Sequence, residues 1–314
     1  MAVKLVKDGY NVIGLVRSIK RPKILNNINI QYCFGDLLNP ETYEASLEQC
    51  NTVIHTAALT AFGLGDPREY YRVNFEGTKT LLACAKRNGI QRFIHTSTRG
   101  VLGVSSHPNE SDEDCVLENF EKKDDYIKSK YLAQKAVLDN CRKSGIDCIV
   151  LAPTALIGTF DEKPTPIGNI ILSFLLEKIT FYMDGGINII DVEDAAKGFI
   201  SAVNKGVNGQ VYIIGNENIT LYEIFKKLSK ISGKPPPKFK LPYLIAYIAS
   251  SIFPLISKVT GKPPFTTPNK VVSLYNNYSY CNPGKAQKVL ELPGTKSNKT
   301  LEKVVNWYKE NFYY

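Results

Sequence analysis

Five short apolar runs set what this chain can fold into. They are NVIGLVR (Asn11–Arg17), NINIQYCFGDL (Asn27–Leu37), NTVIHTAA (Asn51–Ala58), QRFIHTST (Gln91–Thr98) and DCIVLAPTALIG (Asp147–Gly158). Each has the length and character of a buried strand. Residues 41–49 and Tyr70–Gly89 read as helices between them. A third helix starts at Tyr126, where Leu132, Ala133, Ala136 and Val137 recur at helical spacing, and it should stop at Gly145. The opening residues AVKLVKDG read as the end of a helix closed by Gly9. Strands alternating with helix-length segments predict right-handed βαβ units and a parallel, doubly wound α/β sheet.

The pattern changes after Gly158. Residues 159–188 hold Pro164, Pro166 and the apolar run IGNIILSFLLEKI. Asn188–Val203 and Gly209–Gly215 return to a helix and a strand, and from Leu221 onward the segments are helical, with Pro235–Lys238 as punctuation. One unit is therefore expected over 1–158, completed by 188–217. A smaller, mostly helical lobe is expected from 159–187 and 218–314.

Bulk composition narrows the function classes. The 314 residues are 44% hydrophobic and 22% charged, as in an ordinary soluble protein. The net charge is +9, but the basic residues are scattered, which describes a solvated surface better than a nucleic-acid footprint. Seven cysteines without a CxxC pair, and three histidines in separate segments, argue against a zinc site; no metal is expected. Reduced thiols fit a cytoplasmic setting.

Tyr126 and Lys130 open the third helix as YIKSK. Residues four apart share a helix face, so the phenol and the ammonium point the same way. A phenol ionises near pH 10. Bringing that near 7 takes about 4 kcal/mol of phenolate stabilisation, part of which a fixed cation one turn away supplies. The pair is an acid–base couple or two residues that merely share a helix. The strand before it ends in Thr96, Ser97 and Thr98. Ligands of such sheets sit at the carboxyl ends of strands, where a hydroxyl can hydrogen-bond a carbonyl or an alcohol.

Seven motifs follow one another with compatible spacing: GDL at Gly35–Leu37, HTAA at His55–Ala58, NFEGT at Asn74–Thr78, FIHTSTRGVLG at Phe93–Gly103, YIKSK, APTALIG at Ala152–Gly158 and IIDVEDAAKG at Ile189–Gly198. Over nearly the whole chain they resemble the extended short-chain dehydrogenase/reductases, and within these the 3β-hydroxysteroid dehydrogenase and dihydroflavonol-reductase-like branch. The resemblance implies a Rossmann sheet and an NAD(P)-dependent oxidoreductase acting on a secondary alcohol or ketone of a fairly apolar substrate. It implies Tyr126 as general acid/base, Lys130 lowering its pKa and holding the nicotinamide ribose, Thr98 polarising the reacting oxygen, and Asn74 bracing the site. Cofactor contacts would come from Asp36 and Leu37 at the adenine, from Ala57 and Ala58 where backbone approaches the cofactor, and from Pro153 at the nicotinamide side. A nucleotide-sugar epimerase or dehydratase shares these residues and is the alternative, as is a non-catalytic relative. Asp191 and Asp194 read as helix caps.

Arg17 ends the strand where an acidic residue would bind a ribose 2′-hydroxyl and an arginine would suit a 2′-phosphate. With Lys20 and Arg21 nearby, it favours NADP over NAD. The family's first strand and GxxGxxG loop would precede the first helix, and the sequence begins inside that helix at Met1. Gly9 and Gly14 cannot replace the loop, so the expectation is a shortened chain lacking a central strand and the amides that hold a pyrophosphate.

Leu241–Ser257 carries no charge and contains Pro242 and Pro254. It is short for a membrane-spanning helix. It reads as an amphipathic cover over an apolar pocket or as a segment lying on a membrane surface. The expected partners are thus an apolar small molecule and not nucleic acid, with peripheral membrane contact through 241–257 and a homodimer as the further candidates.

Overall fold

The computed structural model describes all residues except 19–24, 26–27, 61–65, 104–109, 261–276 and 312, and only the backbone of 142–144, 249, 253–260 and 277. In chain order the strands are β1 (Ile13–Val16), β2 (Gln31–Phe34), β3 (Thr52–His55), β4 (Arg92–Thr96), β5 (Asp147–Pro153), β6 (Ala155–Ile157), β7 (Phe181–Tyr182), β8 (Gly185–Asp191), β9 (Val211–Ile214), β10 (Glu217–Thr220), β11 (Phe239–Lys240) and β12 (Asn277–Ser279). The helices used below are α1 (Ala2–Lys7), α2 (Glu44–Leu47), α3 (Pro67–Tyr70), α4 (Gly77–Arg87), α5 (Asp125–Ser144), α6 (Pro166–Leu175), α7 (Val192–Lys205), α8 (Leu221–Ser232) and α9 (Tyr243–Thr260).

The parallel α/β architecture expected from the five runs is present. β3, β4, β5 and β9 form one parallel sheet in that order. β1 and β2 form a second, two-stranded parallel ladder with Ile13 opposite Gln31. Among the described residues no strand joins β1 to β3, so each keeps one edge outside any ladder, and Leu15 and Phe34 stay exposed. The quartet is covered on both faces. Successive strand residues point to opposite sides. Phe93, Cys148 and Val150 meet Leu81, Leu82 and Ala85 of α4 and Val137 of α5. Their neighbours Ile94, Ile149 and Leu151 meet Ala195, Phe199 and Ala202 of α7. Each such Val, Leu, Ile or Phe side chain contributes about 1.5–3 kcal/mol by leaving water.

The run Asp147–Gly158 is two strands rather than one. β5 pairs with β4 and β9, while β6 crosses to pair with β8 in another sheet. The switch falls at Pro153-Thr154, where proline has no N–H to offer a continuing ladder. The residues Asn188–Asp191, expected to open a helix, instead finish β8 before α7 begins. β8 is the hub of a mixed sheet, antiparallel to β10 and parallel to β6 and β12. Against it pack α6, α8 and the helix Ser297–Glu310, through Ile171, Phe174, Phe225, Leu228, Val304 and Tyr308. α8 is well bounded: Thr220 and Glu223 form a reciprocal capping box, and Gly233 ends the helix at φ 75°.

Asp191 fastens the two regions. Its carboxylate caps α7 by accepting from the Glu193 N–H at 2.9 Å. The same carboxylate accepts from Thr300 Oγ1 at 3.0 Å and Lys303 Nζ at 3.2 Å on the C-terminal helix. Asp194 does not cap the helix itself; buried in its first turn, it holds the Thr295 N–H at 2.7 Å. Asp191→Ala removes a cap and leaves the buried Thr300 hydroxyl without its acceptor, while Lys303 keeps only Glu193. A loss of about 2–4 kcal/mol is expected, read as a lower midpoint in urea unfolding with an unchanged slope.

Candidate active site

The site forms where β4 meets the start of α5. Asp124 caps α5 by accepting from the Ile127 N–H at 2.8 Å, and Gly145 closes it at φ 70°. The first turn carries Tyr126 and the second Lys130. Thr98 lies just beyond β4 and begins a short turn over Arg99–Val101. Its Oγ1 accepts from the Gly100 N–H at 3.3 Å, and its hydroxyl hydrogen-bonds the Tyr126 phenol. Thr98 is therefore both a turn cap and a partner of the tyrosine.

Burial raises the pKa of Tyr126; the Thr98 hydrogen bond lowers it and the Asp124 carboxylate raises it, and the net direction is upward. Lys130, expected from the helix spacing to lower this pKa, is not among the groups that shift it in this structure. Lys130 is 2% exposed and turns its Nζ to the carbonyl of Thr96, at the end of β4. Burial brings the Lys130 ammonium down to about 8. Its charge acts instead on two imidazoles: burial first, then Lys130, lowers His55 to about 3 and His95 well below its ordinary value.

Asn74 holds the other side. The helical stretch from Pro67 to Arg87 contains a π-helical segment, Tyr71–Glu76. Such segments are frequent at functional sites because the extra residue turns one side chain off the regular face. Asn74, 1% exposed, uses both ends of its amide. Oδ1 accepts from the Leu59 N–H at 2.7 Å; Nδ2 donates to the Leu59 carbonyl at 3.1 Å and to Ser129 Oγ at 3.1 Å. Ser129 Oγ in turn donates to the Tyr126 carbonyl at 2.8 Å. The chain after β3 is thereby tied to the first turn of α5.

The remaining candidates lie at strand ends. Arg17 follows β1, exposed, with no ion pair among the described residues; Lys20 and Arg21 lie outside those residues. Asp36 follows β2 and accepts from the Leu38 N–H at 2.9 Å, while Leu37 is buried among the α4 side chains. Ala57 is exposed and Ala58 half-buried beyond β3, and Pro153 ends β5 opposite Ile214. Within a parallel ladder all of these ends fall on the carboxyl side of the strands.

Several participants were not singled out from the sequence. Ser129 is one; its place three residues after Tyr126 was the available signal. Tyr71 Oη donates to Asp125 Oδ1 at 2.9 Å, and the Tyr70 ring packs edge-on against the Tyr126 ring, centroids 6.3 Å apart. His55 Nε2 lies 2.9 Å from Thr78 Oγ1, whose single hydrogen goes to the Asn74 carbonyl at 2.6 Å. Thr78 must then accept from His55, which assigns the neutral Nε2–H tautomer.

Comparison with known proteins gives the family. A family model described as the NAD dependent epimerase/dehydratase family matches residues 1–215, and the chain belongs to that family. Its relatives are oxidoreductases, and so is this protein. A putative dihydroflavonol 4-reductase of Synechocystis sp. is 33% identical over 313 residues, 98% of this chain and 90% of its own length. A sterol-4-alpha-carboxylate 3-dehydrogenase, decarboxylating, of Mus musculus is 26% identical over 332 residues, covering 100% of this chain and 87% of that protein. The crystal structure of gox2253 superposes with a TM-score of 0.86 at 28% identity, covering 99% of this chain and 94% of that one.

The buried histidines give a test. Both should stay neutral through the pH range in which free histidine titrates, about 5–8, so their ring carbon-bound proton shifts should be flat across it. Their depressed values also mean that the unfolded chain takes up protons first. Stability should therefore fall as pH drops below the ordinary histidine pKa of about 6.5 and continue to fall toward about 3. A His55→Gln variant should show a shallower fall in urea midpoint over that window.

Proposed function

We propose that this protein interconverts a ketone and a secondary alcohol on a fairly apolar substrate, with NADP(H) as the cofactor. The observation that carries the reading is the Thr98–Tyr126 hydrogen bond at the carboxyl end of a parallel sheet. The residues fit a dinucleotide there. Thr96 Oγ1 and Ser97 Oγ are buried without a protein partner among the described residues, small residues follow β3, and Arg17 makes no ion pair among the described residues. When bound, the nicotinamide supplies or takes the hydride.

The protein's own part is proton transfer and orientation. Because its pKa is raised, the Tyr126 phenol stays protonated at neutral pH, the state required to give a proton to a ketone oxygen as it becomes an alcohol. Thr98 polarises the same oxygen and stabilises the phenolate left behind. Lys130 holds the end of β4 in place, with its ammonium available to a ribose. Asn74 keeps the loop after β3 and the first turn of α5 in register. Arg17 pairs with a 2′-phosphate. The apolar substrate class is supported by the uncharged segment 241–257 and by relatives whose names carry a sterol and a dihydroflavonol. A nucleotide sugar would call for basic groups in that segment, and it has none. We assign this substrate role to the lobe 159–187 and 218–314.

Tyr126→Phe keeps the ring and removes the proton. Ketone reduction should slow by about 10²–10⁴ in kcat, with NADPH affinity, measured by titration calorimetry, unchanged. Activity within about tenfold of the parent would remove Tyr126 from the acid role. For the cofactor, Arg17→Ala should weaken NADPH by about 1.5–3 kcal/mol and leave NADH untouched. Equal preference for NADH in both proteins would mean that Arg17 meets no phosphate.

A further inference from the structure

We propose that α9, together with the β7–β11 arm that leads into it, is a docking face for an anionic lipid bilayer. The proposal stands apart from the catalytic reading. α9 is turned inside out. Among its described side chains the buried ones are the small residues Ala246 and Ser250. Leu244, Ile245, Ile248 and Ile252 are 65%, 55%, 54% and 50% exposed, with Tyr243 and Tyr247 beside them. At 3.6 residues per turn these six side chains span an arc of about 200°, far wider than the stripe that packs a surface helix onto its own core.

The face has the features that a lipid contact needs. Two of its serine hydroxyls are satisfied within the helix: Ser250 Oγ and Ser251 Oγ both donate to the Tyr247 carbonyl, at 2.7 Å and 3.0 Å. The apolar surface continues into the arm, where exposed Phe181 and Phe239 face each other with ring centroids 6.2 Å apart. The Leu241 N–H, bonded to the Tyr182 carbonyl at 2.8 Å, fixes α9 to that arm. No helix among the described residues is long and apolar enough to cross a membrane, so the contact is one of surface depth.

Charge selects the occupant. Between Glu223 and Glu291 lie 67 residues with eleven lysines and no aspartate, glutamate or arginine. The chain's net charge is +9, so all the other residues together carry −2. The positive charge is therefore not spread evenly along the chain, although the lysines look scattered; what is missing is acid in the stretch that contains α9. The nearby Glu177 and Asp184 are already paired with Lys234 and Lys240. Among the described residues Lys178 and Lys238 have no acidic partner. Exposed apolar side chains in a stretch of chain that carries lysine and no acid match anionic headgroups above an acyl boundary. A second copy of the chain is the poorer occupant, because a two-fold axis would set this lysine-rich face against itself.

Vesicle co-sedimentation tests the proposal, using the full-length protein with phosphatidylcholine vesicles and with mixed phosphatidylcholine–phosphatidylserine vesicles. Binding should be at least about tenfold tighter to the mixed vesicles and weaken as salt rises. The pair Leu244→Glu and Ile248→Glu should reduce it by about tenfold or more. Both positions are exposed, so the thermal midpoint should not move. Leu244→Ser with Ile248→Ser provides a milder pair that should give an intermediate loss. The proposal is overturned if the parent does not bind phosphatidylserine vesicles or if the glutamate pair binds as well as the parent. It is overturned equally if sedimentation equilibrium finds a dimer that the glutamate pair abolishes while no vesicle binding occurs.

Discussion

The parallel register of β3, β4 and β5 is the constraint from which the site follows. Strands in one parallel ladder end on the same side, so His55, Thr96 and Pro153 finish together with no further instruction. Parallel pairing also demands cover on both faces. That demand places α4 and α5 on one side and α7 on the other, and it delivers the first turn of α5 to the end of β4. Tyr126 reaches Thr98 because a helix must lie there.

Fixing the chemistry takes a second set of contacts, made through backbone groups more than through charges. Asn74 binds both the N–H and the carbonyl of Leu59, Ser129 binds the Tyr126 carbonyl, and Lys130 binds the Thr96 carbonyl. Each is a buried group whose loss would leave a main-chain partner unsatisfied, at a cost of about 1–3 kcal/mol. The network turns a π-helical segment, a strand end and a helix start into one rigid frame. The same burial that makes the frame rigid also keeps the phenol protonated and the two histidines neutral. Packing and acid–base chemistry are in this way set by the same residues.

Apolar surface is divided differently in the other lobe. Around β8 it is fully used, by α6, α8 and the C-terminal helix. Along α9 it faces outward, in the part of the chain stripped of acidic residues. A sequence reading detects that this segment is uncharged, but it cannot tell an inward face from an outward one, since periodicity marks an apolar face and not what that face meets.

The sequence by itself determined the class of fold and the helix bearing Tyr126 and Lys130 with its end at Gly145. These are local matters: strand runs, helical period, and a glycine where the backbone turns left-handed. It also determined that Asp191 would cap a helix. Tertiary structure alone decided where the charges and amides point. Helical spacing puts Lys130 on the side of Tyr126, yet its ammonium goes to Thr96, because a buried amine takes the nearest carbonyl and that carbonyl comes from a strand 34 residues away. Asn74 could be named from its motif, but its partners Leu59 and Ser129 lie 15 and 55 residues distant. The break of one apolar run into β5 and β6, and the outward face of α9, depend likewise on which neighbours are present. Periodicity fixes which residues share a face; only packing fixes what that face meets.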